Sequence, residues 1–155
     1  VPGCDEGWGL YAESLADELG LMPTPEDRFG RLAARRWRLA RVLVDLGVHS
    51  RLPVPDDVAA LPGASREWNR ATVTAVLRHH TVISEGRLRF EVSRHLGWPA
   101  QPLAYAVGER VWQAGRRSAQ AQARAEGGEL DLRAFHNRGI DLGSVGLDLL
   151  ASALH

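Results

Sequence analysis

The sequence predicts an all-α fold, an irregular bundle of about six to seven helices. Apolar residues recur at three- and four-residue spacing along most of the chain, which is typical of amphipathic helices. Alternation typical of strands is nearly absent, and the one short β-branched run, Thr72 to Val76, lies inside a helical pattern. Glycines and prolines interrupt the pattern at intervals that suit helix ends. We therefore expect the 155 residues to form a single helical domain, residues 1–155.

A turn separates the first two predicted helices. The first runs from about Gly7 to Leu19, and Gly20 follows as its expected C-cap. Thr24 is a good N-cap for the second helix, which runs from about Pro25 to His49 with proline at its first position. The second helix carries apolar or small residues at core spacing, and we expect these to be buried: Phe29, Leu32, Ala33, Ala40, Leu43, Val44 and Gly47.

The rest of the chain continues the helical pattern after a proline-rich loop. This loop, from Arg51 to Ser65, has room for one helical turn. Ser84 and Asp131 are the expected N-caps of two later helices. The expected helices are, in order, Arg66–His80, Ser84–Leu96, a long one from Pro99 to about Glu126, a short one after Asp131, and Leu147–Leu154.

Composition excludes several classes of protein. Nineteen arginines balance nineteen acidic residues, and there is no lysine. The segment from Arg31 to Arg41 is locally basic, but its residues belong to a largely apolar helix in a chain of zero net charge, which argues against nucleic-acid binding. With Cys4 as the single cysteine, an intrachain disulfide and a Cys-rich zinc site are both excluded. No apolar run reaches the roughly 20 residues of a membrane span.

Four polar side chains of the second helix form a narrow polar seam. Arg38, Arg41, Asp45 and His49 fall within a wedge of about 80° on an otherwise apolar helix. The seam faces either solvent or a polar cavity. Asp45 lies four residues from both Arg41 and His49, so it can pair with the arginine or orient the imidazole. The competing interpretation is a structural ion pair at a wet edge.

Two other helices carry candidate functional groups. Glu6, Glu13 and Asp17 share one face of the first helix; this is either a solvated acidic face or a metal or acid–base role for Glu6. On the fifth helix, Gln101 and Tyr105 share a side with Gly108 and Trp112. The Tyr105 hydroxyl could approach a ligand beside the glycine, and the alternative is an ordinary core aromatic. His79, His80 and His136 are weaker candidates, expected to be surface, capping or structural residues.

Four strings in the chain resemble a known bacterial family. They are EGWGLYAESLADELGL from Glu6, WRLARVLVDLGVH ending at His49, WPAQPLAYAVGE from Trp98, and the closing DLRAFHNRGIDLGSVGLDLL. They resemble domain-of-unknown-function family 885, whose members look like zinc peptidases of the gluzincin type. The second string is similar to the family's arginine-containing helix ending in VDTGIH, and the third to its PGQALAYKIG.

The resemblance implies a function and roles for particular residues. It implies the C-terminal part of a larger helical, zinc-dependent peptidase that hydrolyses short peptides. Glu6 would be the third zinc ligand, and the two histidines and the base glutamate would come from an HExxH helix immediately N-terminal in the same polypeptide. Tyr105, His49 and Arg41 would steady the oxyanion or grip the peptide, while Asp45, Glu13 and Gln101 would orient these groups.

This chain departs from the family pattern in ways that keep an alternative open. It contains no HExxH, so alone it is expected to be inactive. Ala100, Pro102 and Ala106 replace the family's glycine, alanine and lysine. The alternative is a non-catalytic helical binding or assembly module that has lost the metal. Because the chain begins at Val1, we take it for a piece of a longer protein, which leaves its compartment open, with the cytoplasm favoured.

Overall fold

A computed structural model describes residues 1–154, and every regular element in that range is a helix. The all-α class is thus confirmed. The eight helices of the described range exceed the expected six to seven because the proline-rich loop contains a short helix of its own. They are α1 (Pro2–Glu18), α2 (Pro25–His49), α3 (Asp56–Ala59), α4 (Arg70–His80), α5 (Glu85–Gly97), α6 (Leu103–Ala125), α7 (Leu132–Ile140) and α8 (Leu147–Leu154).

The chain divides into two compact units, each with its own hydrophobic core. The terminal unit combines Val1–Leu21 with Ala104–His155, and the central unit is Met22–Leu103. The core of the terminal unit is rich in aromatic residues: Cys4, Tyr11, Trp112, Phe135, Leu150 and Leu154. The core of the central unit is aliphatic: Ala40, Val44, Val54, Val58, Val73, Val76, Leu77, Leu88 and Val92.

Side-chain caps fix several helix ends. Thr24 and Asp27 form a capping box at the start of α2, where the Asp27 amide donates to the Thr24 hydroxyl at 3.1 Å. Asn69 accepts the Thr72 amide at 3.0 Å, so α4 begins at Arg70 and not at the expected Arg66. These caps satisfy amide groups that the first helical turn leaves without partners.

The helix α6 begins later than the sequence suggests. We expected it to open at Pro99, but Ala100 adopts a φ of +67°, in the left-handed region. A residue in that conformation cannot continue a right-handed helix, so regular structure starts only at Leu103.

The burial expected along α2 holds only for its C-terminal half. Ala40 and Val44 are buried, because α4 and α5 pack against this half of the helix within the central unit. Phe29 and Leu32, expected in the core, are instead 74% and 56% exposed, and Ala33 is exposed as well. The prediction was wrong there because the apolar stripe continues beyond the helices that cover it.

No helix among residues 1–154 is both long enough and apolar enough to cross a membrane.

Candidate functional site

A buried cluster of polar side chains lies between α2 and α5 in the central unit. Arg41 and Asp45 come from α2, while Glu91 and His95 come from α5. Their exposed fractions are 6%, 2%, 0% and 1%. In each helix the two residues are four positions apart, which places them on one face. Burying a charged group destabilises a fold unless the group is paired, so the contacts inside this cluster decide how much its burial costs.

Arg41 links the two helices through its guanidinium group. Its Nε donates to Nε2 of His95 at 3.1 Å, and its Nη2 donates to Oε1 of Gln101 at 3.0 Å. Since the arginine can only donate, Nε2 of His95 must be the accepting, unprotonated nitrogen. The proton of neutral His95 then sits on Nδ1, a buried atom with no hydrogen-bond partner in the described part of the chain.

The surroundings of His95 keep it neutral. Burial, followed by the charge of Arg41, lowers the pKa of His95 to about 4, although the Glu91 carboxylate acts in the opposite direction. Oε2 of Glu91 lies 3.5 Å from Nε2 of His95. A neutral imidazole in this position is an acceptor for Arg41 and adds no charge to the cluster.

The negative charge of the Glu91 carboxylate is compensated mainly by arginines at the edge of the cluster. Its Oε1 accepts from Nε of Arg87 at 3.0 Å and lies 2.9 Å from Nη2 of the same arginine. Nη1 of Arg94 is 3.6 Å from its Oε2, an atom that accepts no hydrogen bond from any described residue. The Arg87 side chain is 52% exposed, so it covers the buried carboxylate from the solvent side.

Asp45 holds the loop that precedes α6. Its two carboxylate oxygens accept the Ala100 amide at 3.0 and 3.1 Å. Oδ1 of Asp45 is 3.9 Å from Nε2 of His49, a contact that becomes an ion pair only if the histidine is protonated. His49 instead donates from Nε2 to the His95 carbonyl at 2.8 Å. The sequence offered Arg41 and His49 as partners of Asp45, and it did not point to the Ala100 amide.

Gln101, on the same loop, accepts hydrogen bonds from two guanidinium groups. Its Oε1 accepts from Arg41 and from Nη2 of Arg94, each at 3.0 Å. The structure thus brings together four of the residues singled out from the sequence: Arg41, Asp45, His49 and Gln101. It adds three that were missed, Glu91, Arg94 and His95. The one sequence signal for Glu91 and His95 was their four-residue spacing on a predicted amphipathic helix.

The other three predicted site residues belong to the terminal unit. Glu6 and Glu13 lie half-buried on α1, and Tyr105 lies half-buried near the start of α6. The Glu6 carboxylate has no hydrogen-bond or ion-pair partner anywhere in residues 1–154. The neighbouring Gly7 packs so closely on Gly108 that a Cβ at Gly7 would lie 2.3 Å from its Cα. Backbone contact between α1 and α6 therefore fixes the position of the helix beside Glu6.

A second polar cluster in the terminal unit was not predicted. The Tyr11 hydroxyl and Nε2 of His136 share a hydrogen bond of 2.8 Å, and Nη1 of Arg116 donates to the same hydroxyl at 3.4 Å. Arg116 also binds both carboxylate oxygens of Glu18, at 3.2 and 2.7 Å. Burial raises the pKa of Tyr11; burial and then Arg116 lower the pKa of His136. The four residues come from three helices, α1, α6 and α7, so no local pattern signals the cluster.

Comparison with known proteins identifies the family. Residues 1–154 match the family described as "Bacterial protein of unknown function (DUF885)". The chain belongs to this DUF885 family. A crystal structure of a candidate lipoprotein from Colwellia psychrerythraea is similar, with a TM-score of 0.79 and 27% sequence identity. The similarity covers 99% of this chain but only 23% of that one, so the chain spans about a quarter of the length of this relative. No match was found among curated proteins.

The described residues of this DUF885 chain do not form a metal site by themselves. Among residues 1–154 there is no group of three or more histidine, cysteine, aspartate or glutamate side chains placed to hold a metal ion. A zinc ion at Glu6 would therefore take its remaining protein ligands from outside residues 1–154. The half-buried, unpaired carboxylate of Glu6 fits one such ligand, because zinc accepts carboxylate oxygens.

Proposed function

We propose that this chain is the C-terminal part of a zinc-dependent peptidase of the gluzincin type, in which Glu6 is the third protein ligand of the zinc. The proposal rests on one observation: the half-buried Glu6 carboxylate has no partner among residues 1–154. Such a carboxylate is free to coordinate a cation. Its place in the EGW string, beside the close contact of Gly7 and Gly108, gives it a fixed backbone.

The substrate would be a short peptide, and the remainder of the same polypeptide would supply the two histidines and the base glutamate. Zinc in such a site lowers the pKa of a bound water and polarises the peptide carbonyl. Arg41, His49 and Tyr105 are the proposed groups that grip the peptide or steady the oxyanion. Gln101 and Glu13 would help to orient them.

Asp45 supports these roles by positioning the loop before α6. Because its carboxylate binds the Ala100 amide, it also fixes the next residue, Gln101, which accepts from Arg41. Residues that act on a substrate lose efficiency when their supports are loose, so a carboxylate that anchors this loop is a useful supporting group.

The test is the zinc content of the full-length parent protein, purified as the wild type, as Glu6→Ala and as Asp17→Ala. We expect about one zinc per chain in the wild type and in Asp17→Ala, and little in Glu6→Ala, with the helical circular dichroism unchanged. Asp17 is the matched control: it lies on the same helix, about 16 Å along the axis from Glu6. Equal zinc in all three proteins would show that Glu6 is not a ligand.

A non-catalytic binding or assembly module is the second candidate. It is favoured by the fact that Arg41, Asp45, His49 and Gln101 all form hydrogen bonds within the central unit, as a purely structural network would. A folded wild-type protein that binds no zinc, even when zinc is added during purification, would favour this module over the peptidase.

A further inference from the structure

One oxygen atom, Oε1 of Gln101, sits between two guanidinium groups. Nη2 of Arg41 and Nη2 of Arg94 both donate to it at 3.0 Å. The amide oxygen of glutamine is neutral, whereas a carboxylate would add charge attraction to each arginine and offer two acceptor oxygens. The two arginines thus hold a weaker acceptor than their geometry could accommodate.

Two of the three side chains at this position are partly exposed to solvent. The Arg94 side chain is 23% exposed and Gln101 is half-buried, whereas Arg41 is only 6% exposed. The Trp98 ring, 5.5 Å from Cζ of Arg94, helps to fix the plane of that guanidinium group. A ligand oxygen entering from solvent would meet an arginine on each side of it.

The Gln101 side chain can leave this position without releasing the loop. The loop is held through the backbone of the preceding residue, where the Ala100 amide donates to Asp45. Rotation of the Gln101 side chain breaks only its two bonds to Arg41 and Arg94. The loop anchor and the ligand position are therefore separate, as an exchangeable site requires.

We infer that Oε1 of Gln101 marks a carboxylate-binding position, in which the ligand carboxylate displaces the amide and binds Arg41 and Arg94. The identity of the ligand rests on the proposed function: its carboxylate is the C-terminal carboxylate of the peptide substrate. Arg94, which the sequence did not single out, becomes a residue that determines specificity.

Equilibrium binding to the full-length protein tests the inference, with a chelator present so that neither zinc nor hydrolysis contributes. The probe is a five-residue alanine peptide with an N-terminal fluorophore, followed by fluorescence anisotropy in three forms. These are the free acid, the C-terminal amide, and an amide whose fourth residue is glutamate. We expect the free acid to bind about tenfold more tightly than either amide, because it alone places a carboxylate at the chain terminus.

Two substitutions locate the effect. Arg94→Gln should remove the preference for the free acid and leave the affinity for the plain amide unchanged. Arg89→Gln is the matched control, since it makes the same charge change at an exposed position of the same helix.

The outcomes separate this inference from the proposed peptidase. Equal affinity of the wild type for acid and amide, or an acid preference that survives in Arg94→Gln, overturns the carboxylate position. Tight binding of the glutamate-containing amide overturns its assignment to the chain terminus. The peptidase proposal is tested separately by the zinc content of the wild type and of Glu6→Ala. That measurement does not involve Arg94 or Gln101.

Discussion

Both carboxylate oxygens of Asp45 accept the amide of Ala100, a residue with a φ of +67°. An L-residue in the left-handed region costs about 1–2 kcal/mol, so part of the energy of the carboxylate contact holds Ala100 in an unfavourable conformation. The family string PGQALAYKIG has glycine where this chain has Ala100. The structure explains that glycine, since it adopts a positive φ without this cost.

We predict that Ala100→Gly stabilises the protein. Glycine adopts the positive φ without strain, which stabilises the folded state, but its greater flexibility also stabilises the unfolded chain. The net effect should be a rise of about 0.5–1 kcal/mol in the free energy of unfolding. Ala121→Gly is the matched control on the exposed side of α6, and it should lower the free energy by about 1 kcal/mol. Urea unfolding of the three proteins measures both values. A loss of stability in both variants would mean that Ala100 is not strained.

Two glycines of α1 should respond in opposite ways to alanine. A Cβ at Gly7 would lie 2.3 Å from Cα of Gly108, whereas a Cβ at Gly9 meets nothing within 4 Å. Gly7→Ala must therefore push apart two backbones, at a cost of about 1–3 kcal/mol or more. Gly9→Ala should gain about 1 kcal/mol from helix propensity. Thermal unfolding checks the pair, and equal shifts would contradict the close helix contact.

The sequence predicted helices well where local signals were strong. The bounds of α2 and α8 agree with the structure: α2 carries a capping box at Thr24, and α8 is a compact apolar run. The exposure of Phe29 could not be foreseen, because periodicity shows which face is apolar and not how far the covering helices extend. Similarly, the pairing of Arg41 with His95 depends on how two helices pack, which the spacing within either helix does not contain.

Arg87 and Glu91 form one ion pair, but Arg87→Ala should destabilise the protein more than Glu91→Leu. Glu91 is fully buried, while the Arg87 side chain is 52% exposed. Arg87→Ala leaves a buried carboxylate poorly compensated, and we expect it to cost about 3 kcal/mol. Glu91→Leu removes the buried charge and lets Arg87 turn into water, so it should cost less.

The exposed pair of Arg66 and Asp56 provides the control for that comparison. Its side chains are 78% and 89% exposed, and Arg66→Ala should cause no measurable loss in urea unfolding. If Glu91→Leu destabilised the protein as much as Arg87→Ala, the penalty would have to come from lost packing around residue 91 and not from an uncompensated charge.

Acid should destabilise the central unit through His95. Burial and the charge of Arg41 lower the pKa of His95 to about 4 in the folded protein, while its ordinary value is 6.5. Between these two values the unfolded chain binds a proton that the folded one does not. The stabilisation is therefore fully present above about pH 6.5 and is lost as the pH falls towards 4, by at most about 3 kcal/mol.

Two measurements check this pH dependence independently. In an NMR titration the imidazole resonances of His95 should stay those of the neutral form down to about pH 5, because Arg41 donates to Nε2 and a second proton there would face a cation. In parallel, urea unfolding from pH 7 to 4 should give a falling free energy over the same interval. A His95 that titrates near 6.5 would show that Nε2 is not held as an acceptor, and the hydrogen bond from Arg41 to His95 would then be absent in solution.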